Sequence, residues 1–214
     1  MLNKGELNMK FEWKKQEKQL YLPKNEPTVV TVPKQKFFTI SGTGNPNSTE
    51  FAEKIGILYS LAYTVKMMPR HGYTPDGYFD YTVYPLEGVW DLTEKGKQSS
   101  TFSKDELVYT IMIRQPDFVT EDVANIAIDT VRKKKPHPLL GSVKFETIED
   151  GLAVQMLHNG SYDDEPVSFD KMKNYIKENN LIIKTLRHRE IYISDARKTE
   201  PSKLKTVLRY NVKE

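Results

Sequence analysis

The chain has 214 residues, with 32 Lys and Arg against 29 Asp and Glu, a formal net charge of +3 and 38% hydrophobic residues. That is enough chain to bury a real core. No apolar run reaches the roughly 18–20 residues of a spanning helix, and no secretory apolar segment stands near the start. There is no cysteine, which excludes disulfides, thiolate nucleophiles and thiolate metal sites and fits a reducing cytosol, so a cytoplasmic location is expected; the even charge balance gives no argument for nucleic acid.

Met9 serves as an initiator as well as Met1, so Met1 to Asn8 carry no structural weight, and residues 1–24 read as an N-terminal extension. Residues 28–41, TVVTVPKQKFFTIS, read as extended. GTGNPNS then supplies Asn and Ser as N-cap candidates, and Phe51, Ile55, Leu58, Ala62 and Val65 recur at helical spacing to about Met67. Pro69, Gly72, Pro75 and Gly77 mark a loop. YFDYTVYPLEGVW (78–90) alternates as a strand, with Pro85 at an edge or bulge. ELVYTIMIRQ (106–115) is a further strand, and Thr120 caps a linking helix over about 120–135. The basic run Arg132 to Lys135 at its end suits the helix dipole.

The pattern then returns. Residues 143–160 read as two extended pieces around a turn at Glu149 to Gly151. YDDEPVSF opens a helix to about Asn180, and TLRHREIYISD and LKTVLRYNV are two more strands. Two strands end at Gly42 and Gly160, and each is followed nine positions later by a Phe in the opening helical turn, Phe51 and Phe169. The order of elements and this echo predict a duplicated β-α-β-β unit. The fold class is therefore α+β, with antiparallel sheets, helices on one side and a central cleft, the pseudo-repeats spanning about 28–115 and 143–213.

The stretch HREIYISDARK alternates as a half-buried strand, with Ile191 and Ile193 on one face and His188, Glu190 and Tyr192 on the other. With Ile191 and Ile193 turned to the helices, Glu190 and Tyr192 would face the groove between the units. A carboxylate shielded there could hold a flat cation or activate a water. YPLEGVW places Tyr84, Glu87 and Trp90 on the matching strand, with Trp90 as a stacking wall. Tyr59 and Tyr63 share a helix face, and MLHNGSY offers His158 and Tyr162. His188 and Glu190 could share a metal, but a third ligand has no placing argument, since His71 and His137 lie in Pro/Gly loops. No metal and no cofactor is expected. SGTGNP lacks the continuation of a dinucleotide fingerprint or a P-loop, and no G-x-S-x-G elbow is present.

The stretches SGTGNPNSTEFAEKIGILYSLAYTVKM, YTVYPLEGVW, MIRQPDFVTEDV, MLHNGSYDDEP and HREIYISDARKTEPSKLKTVLRYNV resemble the GyrI-like small-molecule-binding family over about residues 25–213. The family is similar to effector-binding domains of some transcription regulators and is built on tandem units of the SHS2 type. The resemblance implies a cleft Glu at Glu190 that meets cationic or electrophilic ligands, and aromatic cleft walls. It also implies, for some stand-alone members, hydrolysis of the cyclopropane ring of DNA-alkylating natural products. The sequence departs from the family pattern at Asp91, where a second Trp is common, and at Arg189, where a second His is common.

Three functions follow as expectations. One is a detoxifying hydrolase with Glu190 and Tyr162 in the chemistry and Trp90, Glu87, Tyr84, Tyr59, Tyr63, His158, His188 and Tyr192 around the ligand. Another is a non-catalytic multidrug or effector receptor for small aromatic or cationic molecules. The third is a gyrase-modulating interaction protein. There is no room for a helix-turn-helix before about Thr28, so direct DNA binding is not expected, nor is membrane association; a homodimer is compatible with the sequence.

Overall fold

The computed structural model describes residues 10–214, so Met1 to Asn8 and the choice between Met1 and Met9 lie outside the described residues. Two short helices, α1 (Trp13–Gln16) and α2 (Lys18–Tyr21), precede strands β1 (Thr28–Val32) and β2 (Gln35–Thr43). Helix α3 (Thr49–Met67), β3 (Leu86–Leu92), the short α4 (Glu94–Gln98) and β4 (Leu107–Gln115) complete the first unit. Helix α5 (Glu121–Lys134) leads to β5 (Lys144–Ile148) and β6 (Gly151–Asn159). Helix α6 (Glu165–Glu178), β7 (Ile182–Tyr192) and β8 (Lys205–Lys213) close the second unit.

Local chemistry sets these elements. Ser48 caps α3 by accepting from the Phe51 amide at 3.2 Å, and Thr120 caps α5 by accepting from Val123 at 3.3 Å. Arg132, Lys133 and Lys134 fall in the last turn of α5. Pro166 occupies the first turn of α6, where its missing N–H costs nothing, and Asn180 at φ 56° follows its end. Two sequence expectations change. The extended run 28–41 is broken at Pro33-Lys34 into two strands, because Pro33 cannot donate to a ladder. The strand expected over 78–90 forms only from Leu86, with Tyr81 in an isolated bridge to Phe11 and Pro85 ending the irregular stretch.

All eight strands form one antiparallel sheet in the order β1-β6-β8-β7-β3-β4-β2-β5. Its middle is two copies of one arrangement, β2-β4-β3 with α3 and β6-β8-β7 with α6, joined where β3 pairs β7. The copies exchange edges: β1 leads into β2 but pairs β6, and β5 leads into β6 but pairs β2. In a flat sheet β1 and β2 would lie about 29 Å apart, six steps of about 4.8 Å. A two-residue link reaches only about 11 Å. The sheet must therefore roll until its edges approach, and the links do meet, with Lys34 Nζ 3.9 Å from a Glu149 carboxylate oxygen.

The roll closes away from α3 and α6 and around the N-terminal helices. Trp13 and Tyr21 are buried inside it with rings 5.1 Å apart, and Trp13 Nε1 donates to the Val83 carbonyl at 3.0 Å. Charges line the same interior. Asp150 accepts from Arg189 at 2.9 Å and from Arg209 at 3.0 Å, Glu87 accepts from Arg189 at 2.9 Å, and Gln155 accepts from Arg209 at 2.8 Å. The Arg189 guanidinium lies 5.2 Å from the Phe37 ring, three strands away in the sheet order, which only the curvature permits. No described helix is long and apolar enough to cross a membrane.

Candidate ligand cleft

The two units meet with Gly88 opposite Glu190 and Trp90 opposite His188. Directly opposed residues share a face of the sheet. Tyr109 stands opposite Trp90 on β4, and Tyr210 stands opposite His188 on β8. Tyr109, Trp90, His188 and Tyr210 thus form one row across the seam. The first turn of each helix sets a Phe over this row. Phe51 packs 4.9 Å from Tyr109 and 5.8 Å from Trp90, while Phe169 packs 4.6 Å from His188 and 5.3 Å from Tyr210. The echo between Phe51 and Phe169 is therefore a structural one. Each half contributes a Phe packed over its own end of this ring-lined seam, Phe51 from α3 and Phe169 from α6.

This arrangement corrects one expectation. Ile191 does not face the helices; it shares the inner face with Arg189, and Glu190, His188 and Tyr192 point to the helix side. Alternation shows which residues travel together but not which layer they meet. Both faces of β7 are covered here, one by helices and the other by the rolled interior, so apolarity does not mark the helix side.

Glu190 is shielded, with its side chain 11% exposed. Both of its oxygens are engaged: His188 Nε2 bonds Oε1 at 2.9 Å, and the Tyr192 hydroxyl donates to Oε2 at 2.8 Å. Trp90 Nε1 donates in turn to the Tyr192 hydroxyl at 2.8 Å. The chain Trp90–Tyr192–Glu190–His188 crosses the seam and fixes the carboxylate from both halves. Burial first, and the Glu190 charge second, hold the Tyr192 hydroxyl well above its usual pKa, so it remains a donor.

The turn before α6 reaches this chain. The Tyr162 ring meets Tyr192 edge-on at 6.0 Å and is 40% exposed. Burial, with the charges of Glu190 and Glu165 nearby, pushes its pKa up to about 12, so it too stays protonated. His158 does not enter the groove. Its ring nitrogens bond Ser168 Oγ and the Ser161 carbonyl, both at 2.9 Å, which pins the turn carrying Tyr162 to β6. Gly160 takes φ 137° at this turn, a conformation that favours glycine. Tyr59 is half-buried beside Leu86 and close to Asp195 and Arg197 in the loop after β7, and Tyr63 is exposed one turn further on.

Tyr84 and Glu87 do not join this group. Tyr84 packs on the inner face, its hydroxyl donating to Glu17 at 3.0 Å and the Arg114 guanidinium 4.6 Å from its ring. Glu87 is buried in the ion cluster with Arg189. Alternation again explains this, since Glu87 and Trp90 fall on opposite faces of β3. The two departures from the family pattern lie on the other face of the sheet as well: Arg189 supports the interior, and Asp91 pairs Lys97 at 3.3 Å. A hollow of about 350 Å³, lined by Met112, Glu146, Asp150, Arg187 and Arg189 among others, opens on that inner face.

One acidic residue went unread in the sequence. Glu165 begins α6, is 6% exposed, and its Oε1 has no hydrogen-bond partner. Burial, then the charges of Glu190 and Asp163, push its pKa far above the carboxylate range. The available signal was its spacing: Glu165 and Phe169 are four apart, hence on one helix face, and the face that bears Phe169 looks onto β7.

A sheet of two β-α-β-β units, with a row of aromatic rings and one oriented carboxylate at the seam, is the architecture of a tandem-unit small-molecule-binding domain. The model of the GyrI-like small molecule binding domain matches residues 25–213, and the chain belongs to that family. Two crystal structures from Listeria innocua, each described as a hydrolase, are 38% and 37% identical with TM-scores of 0.88 and 0.86. They cover 96% and 95% of this chain and 100% of their own. The C-terminal domain of EcmrR is 12% identical, with a TM-score of 0.55 over 88% of this chain and 98% of that one, a likeness of fold alone. A search of curated proteins returns no significant match.

Proposed function

We propose that the protein takes flat aromatic or cationic small molecules into the groove and hydrolyses electrophilic ones by opening a cyclopropane ring conjugated to a carbonyl. The observation that carries this is the Glu190 carboxylate, shielded from bulk water and aimed by His188 and Tyr192 between stackable rings. The two Listeria proteins described as hydrolases, alike over their full length, support it.

In this reading Glu190 takes a proton from a water as the water oxygen bonds to the strained ring carbon. The carbon–carbon bond breaks, and its electron pair moves through the conjugated system to the carbonyl oxygen, which becomes a phenolate. Tyr162, protonated, donates a hydrogen bond to that oxygen. Trp90, Phe51, Phe169 and His188 hold the flat ring system.

The test is to incubate a cyclopropanoid alkylator with wild type and with Glu190→Gln and follow the mass. Wild type should yield the ring-opened product, heavier by one water, and Glu190→Gln should lose about 10²–10⁴-fold in rate. A second reading, reversible binding without chemistry, is favoured by the occupation of both Glu190 oxygens, since a water must share them. It predicts saturable binding by wild type with no product at any time.

A further inference from the structure

We propose that the seam between the two units holds two carboxyls with opposite tasks: Glu190 is the base, and Glu165 is the acid that protonates the carbonyl oxygen receiving the ring electrons. The inference rests on the hydrolytic reading above and adds a second catalytic residue to it.

The geometry comes first. Glu165 is more than nine-tenths buried at the start of α6, and its Oε1 is sealed from water without a partner. An ionised carboxylate with an orphaned oxygen is costly to bury, whereas a protonated one leaves only a weak acceptor unpaired. No cation pairs with it among the described residues. The charges that act on it are carboxylates, Glu190 from β7 and Asp163 from the preceding turn, and the hydroxyls of Tyr192 and Tyr162 stand in the same field. The ammonium near that turn, Lys104, lies 3.9 Å from exposed Asp163 instead. A helix N-terminus favours an ionised Glu165, while burial and the Glu190 charge push its pKa up.

Two carboxyls that burial drives apart in proton affinity form an acid and base pair. The step balances. Glu190 accepts a proton from water as the new carbon–oxygen bond forms and the ring bond breaks. Glu165 gives its proton to the oxygen that received the ring electrons, so the product leaves as a phenol. The proton on Glu190 then returns to Glu165, directly or through water, and both groups regain their starting states. The net reaction adds one water. His158 acts as a positioning residue, because its two bonds to Ser161 and Ser168 fix the turn from which Glu165 projects.

Glu165→Gln keeps the shape and the neutral state but has no acidic proton, so it should fold. Infrared difference spectra at neutral pH should show a carboxylic acid band in wild type that is missing in Glu165→Gln and shifted in Glu190→Gln. Turnover of a cyclopropanoid probe by Glu165→Gln should fall about 10²–10⁴-fold, with binding of the probe retained. The wild-type rate should decline at alkaline pH, and the residual rate of the variant should not. Absence of the band, or Glu165→Gln turning over like wild type while wild type is active, overturns this inference and leaves the hydrolytic reading standing. A wild type that forms no product overturns the hydrolytic reading, and the acid's role falls with it.

Discussion

Trp90 covers Gly88 so closely that a Cβ at residue 88 would lie 2.6 Å from the indole Nε1 and 3.2 Å from the Tyr192 hydroxyl. Gly88 sits opposite Glu190, so the missing side chain is what lets the Trp90–Tyr192–Glu190 chain pass over the seam. Gly88→Ala should break the Trp90–Tyr192 bond and destabilise the protein by about 1–3 kcal/mol, the usual cost of overpacking. Urea unfolding and tryptophan emission check it together. An unchanged midpoint with unchanged emission would mean the indole moves aside freely and does not fix the carboxylate.

The N-terminal helices are part of the rolled sheet's interior, which gives a second test. Trp13 is buried against Tyr21 and bonded to the Val83 carbonyl, and Glu17 accepts from Arg114 at 2.7 Å and from Tyr84 at 3.0 Å. Trp13→Ala should cost about 3–5 kcal/mol. A chemical denaturation midpoint within error of wild type would show instead that α1 and α2 dock loosely.

That same segment marks where the sequence stopped being legible. Periodicity, caps and the echo of Phe51 in Phe169 revealed the duplication and the helix-strand order, because each is a local signal. Trp90, His188, Glu190, Tyr192 and Tyr162, each singled out from the sequence, lie in contact with one another at the seam. The edge exchange of β1 and β5 left no local mark beyond Pro33, since pairing partners are chosen by the whole sheet. Glu87 shares the strand of Trp90, but a strand has two faces and here both are buried; Tyr84 precedes that strand, in the irregular stretch before Leu86, where alternation does not apply. Glu165 was hidden for another reason: an acidic residue in a first helical turn is ordinary, and only the fold reveals that this one lies next to Glu190.

Asp150 supplies a third prediction. It bridges Arg189 and Arg209 from the link between β5 and β6, and all three side chains are buried. Asp150→Ala would leave two guanidinium groups near each other in the interior. Removing one partner of such a cluster costs about 3–5 kcal/mol, so this variant should be among the least stable single substitutions. Glu190→Gln, which keeps a neutral partner for His188 and Tyr192, should cost far less. Comparing their urea midpoints tests the division between an ion cluster that holds the roll and a carboxylate whose charge the fold does not need. Equal costs would erase that division.

Glu165 makes stability depend on pH in a definite direction. Its pKa in the folded protein is raised above the usual 4.5 by burial and by Glu190. Between the unfolded value and the folded one, the native state binds a proton that the unfolded chain does not. Stability from this group is complete below the unfolded value and falls as pH rises, by at most about 1.4 kcal/mol per pH unit. Glu165→Gln removes the dependence without removing the volume. The difference in unfolding free energy, variant minus wild type, should therefore grow from about pH 6 to about pH 8, reaching about 2–3 kcal/mol over that interval. Groups distant from Glu165 are common to both proteins and cancel, so the difference reports Glu165 together with the carboxylates that act on it. A difference that stays flat across the range would mean that Glu165 is ionised in the folded state, and a difference that shrinks would mean that a cation pairs with it.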